Sequence, residues 1–520
     1  MPGMFSRPRP SRRMPRSTAA IVLALAVLAI PRAAIPQALA DAEEAWVPWA
    51  PFAEDRPGPW APSEPEPPPE EDAREVEPPL ARLPAVEPDP AVAPIVRDAP
   101  VERPTPVEPQ ERRGLAIRTV LALAALVLLA YSATHPAVER LERRVGISQV
   151  VTAGLPFLFL GMAARHPAIG VLSDEMLAHL SPVVGISLGW IGFIVGFRLD
   201  ARALANVDER TVASAALLTS LPFLGVFVAA STLLVGGAPG SLSDSLADPV
   251  LLRDALILAT AASMTAATTT ALLSDRASPE AVARASMIVR LEELAGIAGL
   301  ALVAAYFRTE TPDLTWRLPG TAWLMVTVGA GAILGFLIFA LVRRADSAAD
   351  FSVLAIGSVA FAAGLASYLH LSSVVVCFVA AVLLANFPGA HQERLGVALA
   401  RMERPIYLLL LVILGALWPT GSSLGWALIP AFAGARLVMR AVAAWTARSA
   451  QLLDLGPLES RTLAIAPIGS LAIAIVVNAQ LLYPSDSIRG AVVAVVGGAL
   501  ITEVLVQAAR RREPGAQRDA

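Results

Sequence analysis

Apolar residues fall along this chain in long blocks separated by short polar connections. From Leu115 onward the blocks lie near 115–133, 147–164, 181–197, 211–236, 251–273, 285–306, 320–342, 350–367, 371–386, 405–419, 424–446, 462–483 and 488–508. Most approach the ~20 apolar residues a helix needs to cross about 30 Å of hydrocarbon. The shorter blocks fit a tilted helix or a locally thinned bilayer. Thirteen such blocks predict an all-α polytopic membrane protein. Hydrophobic residues make up 55% of the 520 residues and charged ones 16%, more apolar surface than a soluble domain of this length needs.

The polar connections are asymmetric. Arg140, Arg143 and Arg144, then Arg202 and Arg210, Arg276 and Arg284, Arg343 and Arg344, Arg394, Arg401 and Arg404, and Arg448 and Arg461 fall in alternate connections. The stretches 236–249 and 419–424 between them carry no arginine, and 307–319, with Arg308 and Arg317, is the exception. The positive-inside rule then puts the mature N-terminus outside and the C-terminus, with Arg510, Arg511 and Arg512, in the cytoplasm. An odd number of spans fits that arrangement. The expected location is the inner membrane of a bacterium, with the N-terminus periplasmic.

Four segments are expected. Residues 1–40 read as a signal peptide, with an uncleaved anchor as the alternative: five arginines precede the apolar run Thr18 to Ile30, and Ala38-Leu39-Ala40 offers a small-x-small cleavage pattern. Residues 41–114 form a Pro/Glu-rich linker that buries too little apolar area to order itself. Residues 115–509 are the membrane domain, and 510–520 a basic cytoplasmic tail. The net charge of −3 averages acidic linker and basic loops and says nothing about partners; no nucleic-acid partner is expected. Cys377 is the only cysteine, which excludes an intrachain disulfide and a cysteine-cluster metal site.

Candidate chemistry concentrates where charge meets apolar sequence. Glu292 and Glu293 sit mid-span with Arg290 two residues before them. A charge at the bilayer centre costs roughly 2.5–3.5 kcal/mol on insertion scales. Arg290 and Glu293, at i, i+3, form a structural pair on one reading. On the other, preferred here, the carboxylates exchange protons or cations. In the preceding span, Thr265 and Thr268 belong to a crowd of small hydroxyl residues. These either pack closely or coordinate a cation from a locally unwound helix. Pro467, Gly469 and Ser470 mark a break inside another apolar run. Arg436 and Arg440 share one face of the span 424–446. Neither deprotonates, so each is a permanent counter-charge or a snorkelling anchor; Arg440 lies deep in the span, and a carboxylate of the Glu292/Glu293 pair is its expected partner.

In order and spacing these patterns resemble the monovalent cation/proton antiporter superfamily, its bacterial sodium/proton and Kef-type branch, over about 115–509. The resemblance rests on Leu141–Gly161, on Gly189–Leu204, on Thr265, and on Glu292-Glu293 at the family's paired Asp-Asp or Asn-Asp. Ala435–Arg440, with Arg440 in place of a lysine, and the Pro467-Ile-Gly469 break complete it. Both family aspartates are glutamates here, and Arg198 replaces an acidic residue of the third span. The resemblance implies two inverted repeats with broken helices crossing near the midplane, a homodimer and no separate cofactor. It further implies exchange of Na⁺ or K⁺ for protons at Glu293, helped by Glu292. The Kef-type nucleotide-binding domain is not expected, since only about ten polar residues follow the last span. Two rivals are a cation channel or leak on the same fold, and a non-transporting scaffold or sensor that works through its linker. No Ser/His/Asp set, histidine cluster or phosphate loop is visible, which argues against an enzyme.

Overall fold

A computed structural model describes most of residues 154–511, leaving out 167–171, 173, 235–246, 275–276, 309–317, 345–346, 388–391, 419–422 and 453–456. The expected signal, linker, first span and the tail beyond Arg511 lie outside the described residues. The described elements are all helices: α1 Leu155–Arg165, α2 Asp174–His179, α3 Ser181–Phe197, α4 Ala201–Ala205, α5 Glu209–Leu234, α6 Pro249–Ala262, α7 Thr268–Ser274 and α8 Pro279–Tyr306. They continue as α9 Gly320–Val342, α10 Ala348–Tyr368, α11 Ser373–Asn386, α12 Gln392–Ala416, α13 Ser423–Ser449, α14 Pro457–Ala464, α15 Ser470–Leu482 and α16 Asp486–Arg511.

By length and composition, α5, α9, α10, α13 and α16 contain the 5 stretches able to cross a bilayer, and α1, α3, α11 and α15 contain shorter apolar ones. The tally of thirteen spans stays an expectation. Local signals set several boundaries. The Ser278 hydroxyl accepts from Ala281 N–H at the start of α8, and Ser347 with Asp350 forms a capping box on α10. The helix α12 begins at Gln392, well before the apolar run near 405. Its first half is polar enough to lie beyond the hydrocarbon, so hydropathy alone marks only its second half. The short helices α2 and α4 have no counterpart among the expected spans.

The helices form two groups. In a flanking bundle, α11 packs mainly on α3 and α9, with α10 and α12 alongside. Its core includes Trp190, Phe193, Trp323, Phe351 and Val376. A Cβ at Gly192 would stand 2.3 Å from Val374 O, and one at Gly196 2.4 Å from Phe378 O, so α3 and α11 meet backbone to backbone. In a crossing bundle, α5, α13 and α16 pack around α6, α8 and α15. The two bundles meet along a seam where α15 touches α3 and α11, and α8 touches α11.

Two interrupted helices give the crossing bundle its topology. The first has its longer half, α6, before the break and its shorter half, α7, after it. The second has the short half α14 first and the longer α15 last. Long half packs on long half and short on short, so the two run in opposite directions. That is the inverted-repeat architecture of a transporter.

Candidate functional site

The crossing point is built from backbone. Ala266 N–H donates to Pro467 O at 2.9 Å, joining the two breaks. Gly469 caps α15, and a Cβ there would lie 3.0 Å from Ala266 Cα and 3.4 Å from Thr265 O. Ser470, half-buried, opens α15. The first break contains neither Pro nor Gly. At its edge Thr260 and Ser263 hydroxyls bond back to Leu256 O and Thr260 O, a habit that loosens a helix end.

Each break leaves carbonyls at a helix C-terminus without intrahelical donors, in a place with little water. Arg436, fully buried on α13, answers both breaks at once. Its Nε donates to Ala262 O at 3.1 Å, Nη2 to Met264 O at 2.9 Å and Nη1 to Ala466 O at 2.9 Å. The guanidinium charge also suits the negative ends of the helix dipoles there. One turn along α13, Arg440 donates from Nε to Leu463 O at 3.1 Å and pairs with Glu292, Nη2 to Oε1 at 3.1 Å and Nη1 to Oε2 at 3.5 Å. Both partners have 0% of the side chain exposed.

Glu292 and Glu293 therefore differ. Glu292 is held by Arg440, with Thr265 beside its carboxylate. Glu293 is also buried, at 8% exposure, but makes no ion pair among the described residues. Charged groups near it are Arg198 at the end of α3, Glu292, Arg290, and Glu403 on α12. Arg198 and Glu403 pair with each other at 2.6 Å.

The sequence-predicted residues divide accordingly. Glu292, Thr265, Arg436, Arg440, Pro467 and Gly469 come together at the crossing. Arg290 is half-buried and forms no ion pair with either glutamate among the described residues. Thr268 is exposed at the start of α7, and the adjacent Thr269 is the buried one, its hydroxyl without a hydrogen-bond partner. Thr268 is therefore not part of the buried group, because the break turns its side chain away. Arg436, expected as a counter-charge or a snorkelling anchor, is fully buried and spends its donors on three backbone carbonyls. Sequence reasoning missed Met264, which lies against Gly296, where a Cβ would stand 2.1 Å from its Sδ. It also missed a second buried network, in which Asp254 accepts from Arg253 Nε at 2.8 Å and from the Ser487 hydroxyl. Adjacent positions on a helix seldom face each other, so the pattern gave no hint of that pair.

Broken, oppositely directed helices with buried arginines and carboxylates at their crossing define a multi-pass membrane transporter of the inverted-repeat kind. The family described as "Sodium/hydrogen exchanger, transmembrane" matches residues 157–509, and the chain belongs to that family. Among solved structures it is similar to the sodium proton antiporter MjNhaP1 from Methanocaldococcus jannaschii at pH 8. The TM-score is 0.52 and the identity 14%, covering 76% of this chain and 97% of that one. An electron-microscopy map of the same antiporter gives a TM-score of 0.50 at 14% identity, covering 78% and 97%. At that identity the likeness concerns the fold alone. No curated protein matches the sequence.

Gly469→Ala tests how tightly the crossing is closed. Its Cβ meets backbone at 3.0 Å, which cannot rotate away. The expected loss is about 1–3 kcal/mol of stability, as for other overpacked sites. Thermal unfolding of the purified protein in detergent checks it, and a melting temperature equal to that of the parent would contradict the tight crossing.

Proposed function

We propose that the protein exchanges a monovalent cation, Na⁺ or K⁺, for protons by exposing Glu293 alternately to the two sides of the membrane. One observation carries the reading: of the two adjacent buried carboxylates, Glu292 already has its counter-ion in Arg440, and Glu293 has none among the described residues. A carboxylate removed from water is costly unless it is protonated or paired with a cation. Proton and cation therefore compete for one group, and such competition couples their movements. Arg436 occupies the carbonyls of Ala262, Met264 and Ala466. The cation is left to Glu293 and water, and the buried hydroxyls of Thr265 and Thr269, without hydrogen-bond partners, are further candidate donors of oxygen.

In this reading Glu292 and Arg440 hold the crossing together, and Glu292 acts on Glu293 through its charge. The protein works as a homodimer in the bacterial inner membrane, N-terminus out and C-terminus in, without a separate cofactor. Reconstitution into proteoliposomes tests the exchange. An imposed Na⁺ or K⁺ gradient should drive proton movement in the opposite direction. Cation flux without coupled proton flux would favour a channel or leak. The scaffold reading has one observation in its favour, the complete pairing of Glu292, and it requires that neither flux occurs.

A further inference from the structure

Within α15 the run Leu471–Ala479 is buried, and Asn478, at 2% exposure, is its one polar member. An amide in such surroundings is costly unless it finds a partner. It finds one across the seam: the Ser372 hydroxyl, itself 1% exposed, donates to Asn478 Oδ1. Ser372 belongs to the flanking bundle, where it caps α11 by accepting from Val375 N–H at 3.3 Å. The corner before it is a tight turn. His370 adopts a left-handed backbone, φ 52°, and Leu371 N–H returns to Ala366 O at 2.8 Å. A second bond crosses at the same corner, from Arg308 Nη2 to Leu369 O at 2.8 Å, with the guanidinium 3.6 Å from the Trp323 ring centroid.

This corner, between α10 and α11, is at the opposite end of the flanking helices from Arg198 and Glu403, which act on Glu293. We propose that Ser372 and Asn478 form a latch that holds the crossing and flanking bundles together at the α10–α11 corner. It must open before Glu293 can face that side of the membrane. The proposal rests on the alternating-exposure reading, yet its test needs no transport. One buried neutral hydrogen bond contributes enough that its loss should change a two-state ratio about fivefold.

The test is the distance between spin labels attached at Asp486→Cys, in the crossing bundle, and Tyr368→Cys, in the flanking bundle. The full chain carries Cys377→Ser, and the distance is read by double electron–electron resonance in nanodiscs. Both label sites are exposed. In Ser372→Ala and in Asn478→Ala the ratio of a longer-distance population to the parent distance should rise about fivefold. Ser372→Thr, which keeps a hydroxyl and the cap, should retain the parent distribution. Ser372→Ala removes a single oxygen, so it remains readable where Asn478→Ala does not fold. An unchanged distribution in Ser372→Ala, or a shift shared by Ser372→Thr, would overturn the latch. Loss of transport in Glu293→Gln with no change in these distances bears on the exchange reading alone.

Discussion

Arg440→Met is expected to cost about 3–5 kcal/mol of stability, because it leaves the Glu292 carboxylate buried without its counter-charge. The size follows from geometry. Both side chains are fully buried, the pair is joined by contacts of 3.1 and 3.5 Å, and the same guanidinium also serves Leu463 O. Removing one partner strands a charge, whereas removing both does not. The double variant Glu292→Leu/Arg440→Met should therefore be markedly more stable than Arg440→Met alone. Thermal or denaturant unfolding in detergent compares them. A double variant no more stable than the single one would mean that the pair does not hold the crossing together.

The sequence exposed the charged part of this architecture well. Carboxylates and arginines inside apolar blocks are expensive, so their presence alone predicts mutual pairing, and Arg440 with Glu292 follows that logic. The second break was also visible, since Pro467 and Gly469 interrupt an apolar run. The first break was fainter. Ser263 to Ala267 contains only residues that a helix tolerates, and it is unwound by partners distant in sequence, Arg436 and Pro467. Its phase could not be read from the pattern, which is why Thr268 was expected where Thr269 is buried.

Arg436 was legible as a buried charge and illegible in its role. Its acceptors are backbone carbonyls, which every residue carries, so side-chain types hold no record of the match. Asn478 and Ser372 were missed for a related reason. A lone amide in an apolar span stands out only once its partner across the seam is known. The first half of α12 escaped because hydropathy marks where a helix enters hydrocarbon, not where it begins.

The central claim is that Glu293, and not the paired Glu292, binds the exchanged ions. The most direct measurement is dissipation of a preformed pH gradient in inverted membrane vesicles on adding Na⁺ or K⁺, for the parent protein and for Glu293→Gln. Glutamine keeps the size of the side chain and can neither take up a proton nor carry charge. The cation should trigger dissipation in the parent, and in Glu293→Gln the signal should fall to that of vesicles lacking the protein. A cation-triggered signal of parental size in folded Glu293→Gln would contradict the claim.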